Sequence, residues 1–175
     1  MLFRGKQPET TVWRRFRPRA ELFAFRREGD VYVAQVRASG ERSVELFHAL
    51  IEQMPPVTDF ALECVRSHRT FTGKGLQLAE VKEAVARLKV PLVASAGVEI
   101  SVMSESDQLA LSANLDFWIY ARSDRWLYLL LGRGLEERAE LPPRGWTVAR
   151  KDFTGAPELV DAVTSAAERL TLTLG

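Results

Sequence analysis

A chain of 175 residues is the length of a single domain. Hydrophobic residues make up 46% and charged residues 27%, which excludes an intrinsically disordered chain and fits a globular one. Twenty-four basic and 23 acidic side chains nearly cancel, so the whole chain is no polyelectrolyte, and one cysteine excludes an internal disulfide or a cysteine-rich zinc framework.

The opening Met1-Leu2-Phe3-Arg4-Gly5-Lys6 meets Pro8 and Glu9 before any apolar run develops, which is not the pattern of a signal peptide. The longest apolar stretch, 126–131, falls far short of the ~20 residues that span a bilayer. With an unpaired Cys64, these features predict a cytoplasmic protein without a membrane span. Charge is unevenly placed along the chain. Residues 1–27 hold eight basic side chains against Glu9 and Glu21, a net +6, and the remainder is −5. Phe3, Trp13, Phe16, Phe23 and Phe25 alternate with those cations. Residues 1–20 therefore read as a basic N-terminal arm or an edge strand. Arg14, Arg15, Arg17 and Arg19 are its candidate contacts to nucleic acid or another anion.

Two strands, 22–27 and 31–38, flank the turn signal Glu28-Gly29-Asp30. Val44, Phe47, Leu50, Ile51 and Met54 recur at helical spacing over 41–54, with Ser39 or Ser43 as a cap and Pro55-Pro56 as the stop. A strand over 58–66 puts Phe60, Leu62 and Cys64 on one face, where the thiol acts as a small core hydrophobe. Along an extended strand His68 stands about 13 Å from Cys64, too far to serve it as a base. Thr72-Gly73-Lys74-Gly75 lacks both the earlier glycine and the following Ser or Thr of a phosphate loop. It reads as a glycine-relaxed turn before a helix over 76–89, with Lys74 as an anion contact at the helix N-terminus.

From Val98 the period changes to two: Val98, Ile100 and Val102 alternate with Glu99, Ser101 and Met103. Glu105-Ser106-Asp107 makes a turn, and Leu109 and Leu111 mark a short strand. Residues 117–122 and 126–131 read as a hairpin around Ser123-Asp124. Residues 146–150 read as a further strand, and Pro157 opens a final helix. This order predicts an α+β domain, with a mainly antiparallel sheet of six or seven strands and three main helices. Its opening β-α-β could belong to a ferredoxin-like unit.

The hairpin carries the functional expectation. Its pairing puts Trp118, Tyr120, Arg122, Arg125, Leu127 and Leu129 on one face, opposite an equally apolar face with Phe117 and Ile119. Three helices each cover about two strands, enough for one face of such a sheet. The second apolar face is then covered by the basic N-terminal arm, by helices split between the two faces, or by a partner. Trp, Tyr and Arg are typical of binding hot spots, and the leading expectation makes it an interface for a protein partner or a second copy. His48, His68 and Cys64 are dispersed, so neither a metal site nor a cofactor is expected, and no catalytic motif is visible. The leading expectation is a non-catalytic binding protein acting through protein–protein contact. A nucleic-acid module built on the N-terminal arm comes second, and an enzyme with a scattered acid/base site third.

Overall fold

The computed structural model describes residue 18 and residues 20–144 and 146–175. Gly29, at φ +61°, turns β1 (Leu22–Glu28) into β2 (Val31–Arg37). Ser39 caps α1 (Gly40–Leu50), its Oγ accepting from the Arg42 amide at 3.2 Å, and a 3-10 turn at Ile51–Gln53 carries the helix to the two prolines. β3 (Val57–Cys64) and β4 (Arg69–Gln77) follow, then α2 (Leu78–Ser95), β5 (Val98–Met103), β6 (Asp107–Leu111) and β7 (Phe117–Ala121). The chain ends with α3 (Arg125–Gly132), β8 (Glu136–Glu137), α4 (Pro157–Arg169) and β9 (Thr173–Leu174).

All nine strands form one mixed sheet in the order β8-β1-β2-β7-β6-β5-β3-β4-β9. Every ladder is antiparallel except the short β1–β8 pair. Counting through the ladders, β2 runs parallel to β3, β4 to β5, and β7 to β8. The units β2-α1-β3, β4-α2-β5 and β7-α3-β8 are thus crossovers between parallel strands. Such crossovers are almost always right-handed. Here the third and second step back across the sheet along strands that run opposite to those of the first. Right-handedness therefore puts all three helices on the same side.

The core lies on that side. Phe60, Leu62, Ile100, Leu109, Phe117 and Ile119 are buried strand residues, and they join Phe47, Val85, Trp126 and Val163 from the four helices in one cluster. Phe47 meets Phe117 edge to face at 5.6 Å, which fixes α1 on the Phe117 side. α4 packs on α2. Cys64 is buried among these residues, where the alternation predicted it.

Several expectations are corrected. The sheet has nine strands, and four helices stand among the described residues. Three strands separate β2 from β3, so the opening β-α-β is no ferredoxin-like unit. Residues 126–131 are helical, not the second strand of a hairpin. β7 already pairs with β2 and β6, so no ladder is free for them. The run is rich in leucine, a strong helix former, and Trp126 and Leu130 at i,i+4 bury one stripe. Residues 72–75 are part of strand β4. Gly73 is required there because a Cβ would lie 2.6 Å from a Leu172 methyl, and Gly75 at φ +64° follows a register shift between Thr58 and Phe60. The helix starts later than expected, at Leu78, which leaves Lys74 on the strand and away from any helix N-terminus. Residues 146–150 make no strand and lead irregularly into a 3-10 turn at Arg150–Asp152.

Candidate interaction face

Strand side chains alternate between faces, and the face opposite the four helices carries no helix among the described residues. Gln35, Trp118, Ala110, Ser101, Ala61 and Thr72 are successive ladder partners, a straight row across six strands. The next row runs Val33, Tyr120, Gln108, Met103 and Asp59. Trp118 and Tyr120 stack with ring centroids 6.3 Å apart and planes 7° from parallel. Trp118 is half-buried and Tyr120 is 37% exposed. Two large rings therefore stand as a ridge on β7, beside the smaller Ala110, Ser101 and Ala61.

One end of this face is crossed by a strap, made of the described residues 138–144 and 146–156 between β8 and α4. Asn114, in the β6–β7 loop, grips it with two bonds: its Nδ2 donates to the Val148 carbonyl at 3.0 Å, and its Oδ1 accepts from the Val148 amide at 2.8 Å. Arg144 pairs with Asp116 at 2.7 Å and donates to the Asn114 carbonyl at 2.6 Å. Further along, Arg150 reaches both Glu99 on β5 and Glu63 on β3. Asp116 also faces Arg37 at 3.6 Å, and the Nε and Nη1 of Arg37 are buried without a hydrogen-bond partner. Burial pushes the Asp116 carboxyl above its ordinary range against the opposing pull of Arg144 and Arg37. The cluster is the anchor of the strap.

The bonds that hold the strap all lie at this one end of the face. A cleft of about 220 Å³ lies beside Tyr120, Met103, Gln108 and Glu105. A second, of about 420 Å³, lies between Gln53, Met54, Pro55 and Arg125. Ser106, Asp107 and Arg122 line both, so the depression runs from the sheet face round its end to the helix side. Asp107 is buried and accepts from Arg125, whose Nη2 also donates to the Gln53 carbonyl at 2.9 Å. The Arg122 amide donates to the Ser106 carbonyl at 3.0 Å, and its side chain is exposed.

The structure divides the six residues expected to form one interface. Trp118 and Tyr120 share the helix-free side, as alternation along one strand requires, and exposed Arg122 follows in the bend just after β7. Leu127 and Leu129 belong instead to α3, half-buried against the core, and Arg125 is engaged by Asp107. Lys74 sits on β4, two strands beyond β5. Arg14, Arg15, Arg17 and Arg19 lie outside the described residues. The sequence reading missed Asn114, Asp116, Arg144 and Arg150, because each acts across 30 or more residues or between loops with no local pattern. It also missed the row of small residues beside Trp118, although Ser101 and Met103 stood out as the polar phase of the 98–103 alternation. Among the described residues no group of His, Cys, Asp and Glu is placed to hold a metal ion, and no helix is long and apolar enough to cross a membrane. Comparison with protein-family models, curated proteins and solved structures found no match for this chain.

Proposed function

We propose that this chain is a non-catalytic, cytoplasmic binding protein that works through protein–protein contact on its helix-free sheet face. One observation carries the reading: the stacked Trp118–Tyr120 pair stands near the middle of a nine-stranded sheet, and the four helices among the described residues all lie on the other side. Tryptophan, tyrosine and arginine dominate interface hot spots, and here the two rings have exposed Arg122 at the end of their own strand. An unpaired buried Cys64 is in keeping with a reducing compartment. Asp59, Glu63 and Glu99 share this face, and their charge weighs against a phosphate backbone lying across it.

The test is retention of protein by the immobilised chain, its own copies included, compared with Trp118→Ala and Tyr120→Ala variants whose circular dichroism matches the parent. Association that weakens at least tenfold in both variants supports the reading. Association equally strong in folded variants defeats it. So does a chain that retains no protein but holds nucleic acid in a salt-sensitive way, since that result returns the function to the basic N-terminal segment.

A further inference from the structure

We propose that Arg37, Arg144 and Asp116 form a binding site for a small oxyanion at the strap end of the sheet. The proposal goes beyond the protein-binding reading and does not depend on it.

The site begins with a cation that lacks acceptors. Arg37 is the last residue of β2 and follows Val33 and Gln35 on the helix-free side. It is only 8% exposed, yet its Nε and Nη1 have no hydrogen-bond partner. Its acidic neighbour among the described residues is Asp116, whose Oδ1 stands 3.6 Å from Nη1, beyond hydrogen-bond range. Asp116 is committed elsewhere: its Oδ2 pairs with Arg144 Nη1 at 2.7 Å and accepts from the Ser112 hydroxyl at 3.5 Å. Two guanidiniums thus share one carboxylate, and the cluster carries an excess positive charge. Burial holds the Arg144 guanidinium below its ordinary value against the pull of Asp116, and the like charge of Arg37 adds to the lowering. The other acids of this face do not relieve it. Glu99 on β5 and Glu63 on β3 stand three and four strands from β2, and both are taken by Arg150.

Native proteins leave few buried polar groups unpaired, and a buried cation without counter-charge is costly. A water molecule at Nε would supply an acceptor but leave the charge unmatched. An oxyanion supplies both, a negative charge and several acceptor oxygens, through charge-assisted bonds that suit guanidinium. The Arg144 and Asp116 side chains are 16% and 18% exposed, so the cluster reaches solvent at the margin of the strap, which gives an ion its way in. Arg144 also donates to the Asn114 carbonyl at 2.6 Å. An anion held by both guanidiniums therefore ties β2 to the strap and to the β6–β7 loop.

Isothermal titration calorimetry of the full chain with inorganic phosphate, and separately with acetate, at constant ionic strength reads the site. At least one of the two should bind once per chain, with a dissociation constant of about 1 mM or below. At a hundredfold excess over that constant, the anion should raise the melting temperature by about 5–11 °C. Arg37→Met keeps the apolar stem and the Asp116–Arg144 pair while removing the orphan donors and the excess charge. It should melt at or above the parent in buffer free of both anions, and bind at least tenfold more weakly. Its melting temperature should then respond only to the general stabilisation that excluded anions exert on any protein. If neither anion shows saturable binding by about 10 mM, the proposal is overturned. Binding that is as strong in Arg37→Met lies elsewhere on the chain and also overturns it. So does an Arg37→Met variant that unfolds, or melts far below the parent without anion, because the guanidinium is then already satisfied within the fold.

Discussion

Two tryptophans eight residues apart separate face from core. Trp126 is fully buried under α3 and belongs to the central cluster, whereas Trp118 is half-buried and leans on Tyr120. Trp126→Ala should remove about 3–5 kcal/mol of stability through lost burial and the cavity left behind. Trp118→Ala should lose the ring stack, worth about 0.5–1.5 kcal/mol, and part of its buried area, for a total of about 1–2 kcal/mol. For a chain of this length 1 kcal/mol moves the melting temperature by about 2–4 °C. The Trp126 variant should therefore melt roughly 6–20 °C below the parent, and the Trp118 variant roughly 2–8 °C below it. Urea denaturation at sub-micromolar protein, where self-association contributes little, gives the same comparison as free energies. If Trp118→Ala proves as costly as Trp126→Ala, the Trp118 side is interior to the monomer and the argument for an interaction face fails.

Three further outcomes follow from the strap, a helix and a turn. Asp116→Ala leaves Arg37 and Arg144 as buried cations with no counter-charge, and should cost about 3 kcal/mol by urea denaturation. Burial, then the positive charges of Lys89 and Lys82, hold the His48 imidazole below its ordinary value. The unfolded chain then takes up its proton first as pH falls through about 6.5, so native stability drops as the pH is lowered from neutral. His48→Gln should flatten that part of the stability-versus-pH curve. At Gly97, φ is +87°, and an added Cβ would lie 2.8 Å from Arg66 Nε and 2.9 Å from the Phe153 ring. Gly97→Ala should thus cost about 2–4 kcal/mol, read as a lowered denaturation midpoint.

What the sequence shows depends on how far each determinant reaches. α1 is legible because its cap, its apolar spacing and its proline stop all lie within 18 residues, and β5 because its alternation is complete within six. Gly73 and Gly75 mislead because a glycine in a strand looks like a turn until the opposing Leu172 and the register shift are known. β8 and β9 are two residues each and exist only as edge partners of β1 and β4, so no local period announces them. The strap cannot be read from sequence at all: Asn114 holds Val148 from 34 residues away, and neither residue sits in a recognisable motif.

The misread hairpin explains why part of the candidate site survives its own premise. Apolarity on both faces of residues 117–131 has two separate causes. In 126–131 it reflects a helix, whose buried stripe of Trp126 and Leu130 leaves Tyr128 and Leu131 64% and 44% exposed. A short apolar run cannot by itself distinguish helix from strand. In β7 the two-sidedness is real. Phe117 and Ile119 face the helices, and Trp118 and Tyr120 face away. Only residues whose orientation follows from alternation within one strand keep their place on the face. Arg125, Leu127 and Leu129, which reached it through the assumed turn, do not. Why none of the described helices covers that face is then a question of topology. With the right-handedness usual for such connections, the three together send every crossover helix to one side. Among the described residues the other side has the strap, which reaches one end and leaves the Trp118–Tyr120 ridge beyond it.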